Sequence, residues 1–122
     1  MKYFMKSIML ITCMAASFSS YSASSVICEG EVETLGVHGT DRVMLKLSGM
    51  NTVVQICHLN NTMGTDYPIT AEQCKTVYST LLTGYSMSKN MRIHFDNIEI
   101  GTSCNNFKSW EVATTRWVYL SN

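Results

Sequence analysis

The sequence predicts a single, mainly β domain: a five-stranded barrel with one helix, stapled by two disulfides. Three observations predict it. Apolar and polar residues alternate with period two in several stretches that end at turn residues. One stretch in the middle of the chain has helical spacing instead. Four cysteines remain after an N-terminal segment that resembles an export signal, and an even count in a short exported chain indicates a disulfide framework.

Residues 1–22 are predicted to be a signal peptide. Two lysines precede an apolar stretch, Ile8 to Phe18, that is too short to span a bilayer. Ser20 and Ser22 place small side chains at the positions that a signal peptidase recognises, so we expect cleavage after Ser22, with Ala23 or Ser24 as alternatives. A single OB-like domain is then expected over residues 23–122. The expected location is secreted or periplasmic, in a bacterium.

The charge of the mature chain argues against two classes of partner. Loss of the two signal-peptide lysines leaves seven basic and nine acidic residues, a net charge of −2. A slightly acidic domain is unsuited to nucleic acid or anionic lipid. We therefore predict no nucleic-acid partner and no membrane span in the mature chain.

Three strands are predicted first. Val26 to Val37 alternates with an acidic face, Arg42 to Ser48 follows a turn, and Thr52 to His58 follows another. The expected hairpin register sets Val32 and Thr34 on the face of Val43, Leu45 and Leu47, and sets Glu31 and Glu33 near Arg42 and Lys46.

A helix and two more strands complete the prediction. The loop over residues 59–69 ends at Thr70, which with Gln73 forms a capping-box pattern, and Gly84 is expected to stop the helix. Apolar residues keep helical spacing from Cys74 to Tyr85. Strands are then expected over residues 91–95 and 114–120.

The order of three strands, one helix and two strands matches the OB barrel, with its helix between strands three and four. An open α+β sandwich with a helix on one face is the alternative. In the barrel the first strand runs antiparallel to the fourth, which brings Cys28 near the segment of Cys104, while Cys57 ends strand three and Cys74 lies in the first helical turn. The predicted bridges are Cys28–Cys104 and Cys57–Cys74, one of three pairings that four cysteines allow.

The sequence offers no catalytic constellation. The three histidines have no ligand spacing, and the acidic strand face opposes basic residues. No nucleophile elbow, phosphate loop or Cys–His arrangement is visible. We therefore predict no enzyme, no catalytic residue, no metal and no cofactor.

Aromatic residues are the remaining candidates for ligand binding, because an exposed ring beside short polar groups is typical of a site that binds a sugar. The candidates are Tyr67, Tyr85, Phe95, Trp110, Trp117 and Tyr119.

The chain resembles the cell-binding B subunits of bacterial toxins of the subtilase cytotoxin and typhoid toxin type. Two segments carry the resemblance. One is residues 71–82 followed by Asn90-Met91-Arg92-Ile93-His94-Phe95, where the family has a similar helix, a short link and Val-Arg-Ile before two mostly aromatic residues. The other is Gly30-Glu31-Val32 near the start of strand one. About a dozen residues are shared, spread over most of the mature chain.

The resemblance implies an OB barrel, a ring of five subunits, an exported enzymatic subunit as partner and a cell-surface glycan as ligand. The family's pocket uses a Ser and a Tyr at positions that hold Glu29 and Phe95 here, and we expect Arg92 or His94 at its rim. Strand alternation gives the alternative, in which Phe95 points into the core with Met91 and Ile93. Because a carboxylate repels sialic acid, Glu29 favours a neutral glycan. The predicted function is a non-catalytic, oligomeric, carbohydrate-binding module like a toxin B subunit. The alternative is a structural or inhibitory protein that contacts a protein partner.

Overall fold

A computed structural model describes residues 24–121 of the chain, and the predicted signal peptide over residues 1–22 lies outside this range. The described part holds six strands and one helix. In chain order they are β1 (Ser24–Gly30), β2 (Val32–His38), β3 (Arg42–Leu47), β4 (Val54–His58), α1 (Ala71–Ser86), β5 (Met91–Ile98) and β6 (Thr114–Leu120). The mainly β class and the single helix after the first group of strands are as the sequence predicts.

The strands form two antiparallel sheets of three strands, in the orders β1-β5-β6 and β2-β3-β4. The two sheets meet at Gln55 of β4, whose backbone exchanges two 2.8 Å hydrogen bonds with Glu111 and Ala113 ahead of β6. A single parallel bridge, Gln55 to Val112, forms there. The prediction of a closed five-stranded barrel is therefore wrong: residues 24–121 form six strands and no closed barrel.

The extra strand arises because the predicted first strand is broken at Gly30. Gly30 has a φ of +147°, a backbone conformation that L side chains rarely adopt. A Cβ at this position would also lie 2.8 Å from the backbone N of Gly49. Beyond the break, Glu31 is held by Ser48, whose backbone N donates to the Glu31 carbonyl at 2.9 Å. Glu29, Glu31 and Glu33 keep the period of two across the break. Periodicity alone therefore does not reveal that the chain passes from one sheet to the other.

The hairpin register is correct at its start and wrong beyond a β-bulge. Val32 and Leu47 share the inner face as predicted, but the register shifts before Thr34, which pairs with Lys46. The predicted approach of Glu33 to Lys46 is confirmed by an ion pair. Thr34 is consequently exposed, and Leu35 takes its place on the inner face opposite Leu45. A bulge adds one residue to one strand and so exchanges its faces.

Helix α1 begins as predicted and ends later. Thr70 accepts a hydrogen bond from the Gln73 backbone N at 3.2 Å, and the Gln73 side chain accepts one from Thr70 N at 2.9 Å. Both halves of the capping box are therefore present. Gly84 does not stop the helix, which continues to Ser86. It instead lets the helix approach Met91, because a side-chain carbon at position 84 would collide with the Met91 sulfur.

The core lies between the two sheets and α1. Its fully buried large side chains come from β3, β4, α1 and β5; they include Leu45, Leu47, Ile56, Leu81, Met91, Ile93 and Phe95. The face of the β1-β5-β6 sheet that points away from the core is exposed at Ile27, Trp117 and Tyr119. It can therefore contact a ligand.

Both predicted disulfides are confirmed. Cys28–Cys104 ties β1 to the loop before β6 with a Cα–Cα distance of 5.7 Å, and Cys57–Cys74 ties β4 to the first turn of α1 at 5.5 Å. Strand β1 runs antiparallel to β5, as the prediction of the first bridge required. Such bridges are compatible with an oxidising compartment.

We expect Cys28, Cys57, Cys74 and Cys104 to resist alkylation in denatured, unreduced protein, because each sulfur is bonded to another. Peptide mass spectrometry measures each position separately, and the same protein after reduction is the control. Alkylation at two or more of these four positions before reduction would contradict the bridges.

Candidate functional site

The outer face of the β1-β5-β6 sheet brings the predicted site residues together in two rows. Strand register aligns Ile27 with His94 and His94 with Trp117 in one row. The next row aligns Glu29 with Arg92 and Arg92 with Tyr119. We call these six residues the outer face. Alternate residues of a strand point to the same side, which explains why residues 27 and 29, 92 and 94, and 117 and 119 share it.

Glu29 and Arg92 form an ion pair across β1 and β5. Arg92 Nε donates to Glu29 Oε1 at 2.8 Å, and Arg92 Nη1 donates to the Tyr119 hydroxyl at 3.4 Å. The Glu29 hydrogen bond, followed by the Tyr119 hydrogen bond, raises the pKa of the Arg92 guanidinium above its ordinary value. The positive charge of Arg92 is thus matched by a carboxylate within the same row.

Phe95 does not belong to this surface, and its predicted place in the pocket is wrong. Its ring is fully buried and meets Phe107 edge-on, with ring centroids 5.7 Å apart. The cause is strand alternation: Phe95 follows His94, which points outward, and shares the inner face with Met91 and Ile93. A core ring cannot stack on a sugar at the surface.

Trp117 supplies the exposed ring that Phe95 does not. Its side chain is 61% exposed. A shallow pocket of about 510 Å³ lies between it and its neighbours Ile27, His94, Val118 and Tyr119. Trp117 and Tyr119 are two of the aromatic candidates that the sequence offers. Their alternation with Val118 in the last strand is the sequence signal that places both on one face.

A β-bulge extends the outer face toward β5 Asp96. His94 pairs with Trp117 and Phe95 with Thr115, so Arg116 is the extra residue of β6. Arg116 Nε lies 2.7 Å from Asp96 Oδ2, and the carboxylate of Asp96 is almost completely buried. His94 Nε2 lies 3.8 Å from the other oxygen of Asp96. The second arginine of this side of the sheet is therefore also paired with a carboxylate.

Within residues 24–121 no group of three or more His, Cys, Asp or Glu is arranged to hold a metal ion. No helix in the same range is long and apolar enough to cross a membrane.

No protein-family model, curated protein or solved structure matches the chain. The resemblance to toxin B subunits stays a prediction. The six residues of the outer face are the structural observation that bears on function.

Proposed function

We propose that this protein is an exported, non-catalytic binding module that holds a neutral glycan on its outer face. The observation that carries the proposal is the exposed pair of rings, Trp117 and Tyr119, beside the hydrogen-bonded Glu29–Arg92 pair. Single exposed apolar side chains are ordinary on a protein surface, whereas neighbouring exposed rings indicate an interaction site. Here they lie on a sheet whose rows fix their spacing.

The arrangement suits the two sides of a sugar ring. The apolar C–H face of a pyranose packs on an aromatic ring, and Trp117 and Ile27 provide an apolar floor beside His94. Hydroxyls at the edge of the sugar need acceptors and donors at short range. Glu29 accepts, while Arg92 and the Tyr119 hydroxyl donate.

Charge favours a neutral sugar over a sialylated one. Both arginines on this side of the sheet, Arg92 and Arg116, are paired with the carboxylates Glu29 and Asp96. Within residues 24–121, an anionic sugar would meet the exposed carboxylate of Glu29 and no unpaired arginine on this side of the sheet, and a close like charge lowers affinity. Neutral hydroxyls meet no such repulsion.

The assembly belongs to the same proposal. A ring of five with an exported enzymatic subunit is what the resemblance to toxin B subunits implies, and light scattering of the purified protein measures the first part. A protein partner is the second candidate, because exposed Trp, Tyr and aliphatic side chains are also enriched at protein interfaces. Glycan binding distinguishes the two candidates.

The test compares two tryptophans. We expect the purified protein to bind neutral glycans on an array in preference to sialylated ones. Trp117→Ala should weaken binding by roughly tenfold or more, the scale of a central aromatic contact. Trp110→Ala is the matched control, since Trp110 is 50% exposed but packs edge-on against His38, away from the outer face.

Two results would contradict the proposal. If no glycan binds, the outer face is left to a protein partner. If Trp110→Ala and Trp117→Ala weaken binding equally, the ligand is not on the outer face. Circular dichroism of both variants shows that each remains folded.

A further inference from the structure

A second pocket lies beside the outer face, where β6 meets the start of α1. Its volume is about 580 Å³, and its lining includes Tyr67, Glu72, Gln73, Thr76, Thr115 and Arg116. We call it the helix pocket. Strand β6 lines both pockets: Thr115 and Arg116 line the helix pocket, and the next three residues line the pocket of the outer face.

Asn97 organises the loop that carries the Tyr67 ring. It has a φ of +54°, which is uncommon for a residue other than glycine. Its Oδ1 accepts from the backbone N of Thr65 at 3.2 Å and of Asp66 at 3.1 Å. Its Nδ2 donates to the Tyr67 carbonyl at 3.2 Å. One side chain therefore holds three successive residues, and this fixes where the half-exposed Tyr67 ring lies.

Arg116 forms the boundary between the two pockets. Its guanidinium carbon lies 3.4 Å from the centre of the Tyr67 ring. The contact with Tyr67, and also the charge of Asp96, raise the pKa of Arg116 above its ordinary value. Because Arg116 is the extra residue of the bulge, it and Trp117 both project to the outer side. The ring of Tyr67 thus lies against Arg116, and Trp117 is the next residue of the same strand.

Buried polar atoms without a hydrogen bond are concentrated at this boundary. In residues 24–121, three buried side-chain atoms have no hydrogen-bond partner: His94 Nε2, Asp96 Oδ2 and Thr115 Oγ1. The oxygen of Asp96 meets Arg116 as an ion pair outside hydrogen-bonding geometry. Buried polar atoms without partners are rare in folded proteins, and each one needs a reason. All three lie on β5 and β6 next to Arg116.

We propose that the two pockets are subsites for one ligand, a neutral oligosaccharide that crosses Arg116 and contacts the rings of Tyr67 and Trp117. This inference depends on the proposed function and adds the length of the ligand to it. A strand rises about 3.3 Å per residue, so Tyr119 lies about 10 Å beyond Arg116 along β6. A single sugar ring cannot reach both pockets, whereas a chain of several can.

The lining of the helix pocket matches this ligand. Tyr67 offers a ring, Gln73 and Thr76 offer neutral polar groups, and Glu72 and Asp66 offer carboxylates that accept bonds from hydroxyls. The one basic side chain of its lining, Arg116, is already paired with Asp96. The helix pocket therefore disfavours an anionic sugar, as the outer face does.

The test measures affinity against chain length by calorimetry. The probes are neutral oligosaccharides of two, four and six units built on β-1,4-glucose, on β-1,4-N-acetylglucosamine and on N-acetyllactosamine. For the backbone that binds, six units should bind at least tenfold more tightly than two. Tyr67→Ala should remove this gain, whereas Trp117→Ala should weaken the binding of both lengths.

Matched variants make the outcome specific. Tyr85→Ala removes a half-exposed tyrosine of α1 that lines neither pocket, and it should leave the gain intact. Thr76→Trp places a large side chain in the helix pocket from an exposed position, so it should also remove the gain in affinity for six units. It tests the helix pocket independently of any effect of Tyr67→Ala on the loop. If two and six units bind equally and both variants are silent, the inference is overturned while the proposed function stands. If no probe binds at all, both are overturned.

Discussion

Leu81→Ala is expected to lower the free energy of unfolding by about 2–5 kcal/mol, the range for truncating a buried leucine. Leu81 is 0% exposed and lies on the inner side of α1 with Cys74, Val77 and Gly84. Truncation removes apolar contacts and leaves a cavity that the disulfide-tied neighbours cannot easily fill. Urea denaturation followed by tryptophan fluorescence measures the loss.

Leu82→Ala is the control for this prediction. Leu82 is the next residue of the same helix but is 41% exposed, so the same chemical change should cost about 1 kcal/mol or less. The higher helix propensity of alanine offsets part of that cost. Equal losses for the two leucines would show that α1 packs on a different face from the one described.

The sequence predicts those parts of the fold that depend on local chemistry. The capping box at Thr70, the start of α1 and the last strand follow from residue types at fixed spacing, and the structure has them. The bridge Cys28–Cys104 follows from the antiparallel placement of β1 and β5, and Cys57–Cys74 follows from the end of β4 and the first turn of α1. The break at Gly30 and the bulge before Thr34 were not predictable in the same way. Both depend on contacts with residues 46–49, which are distant in sequence.

The candidate site shows the same limit. Glu29, Arg92 and His94 lie together because strand alternation and register place them so. The sequence grouped them only through the resemblance to toxin B subunits. Phe95 was misplaced because a pocket position was transferred from a resemblance against the alternation of its own strand. The extra residue Arg116, and the orientation of Tyr67 by Asn97, depend on a bulge and on a left-handed backbone. Neither the bulge at Arg116 nor the left-handed backbone of Asn97 changes the alternation of apolar and polar residues in the sequence.

The two disulfides are expected to stabilise the protein by different amounts. In the chain-entropy description, a bridge limits the unfolded chain more when it closes a longer loop. Cys28–Cys104 spans 76 residues and Cys57–Cys74 spans 17. The relation gives about 4.5 kcal/mol for the first and about 3 kcal/mol for the second at 25 °C.

We therefore expect the double variant Cys28→Ala/Cys104→Ala to lose about 1–2 kcal/mol more stability than Cys57→Ala/Cys74→Ala, by the same loop-length relation. Each double variant removes two sulfur atoms, so the change in side-chain volume is matched and the loop length differs. Urea denaturation without reductant measures both losses. An equal or larger loss for Cys57→Ala/Cys74→Ala would mean that packing dominates. In that outcome, the cavity left by Cys57 and Cys74 would have cost more than the difference in loop length, because both cysteines are 0% exposed between β4 and α1.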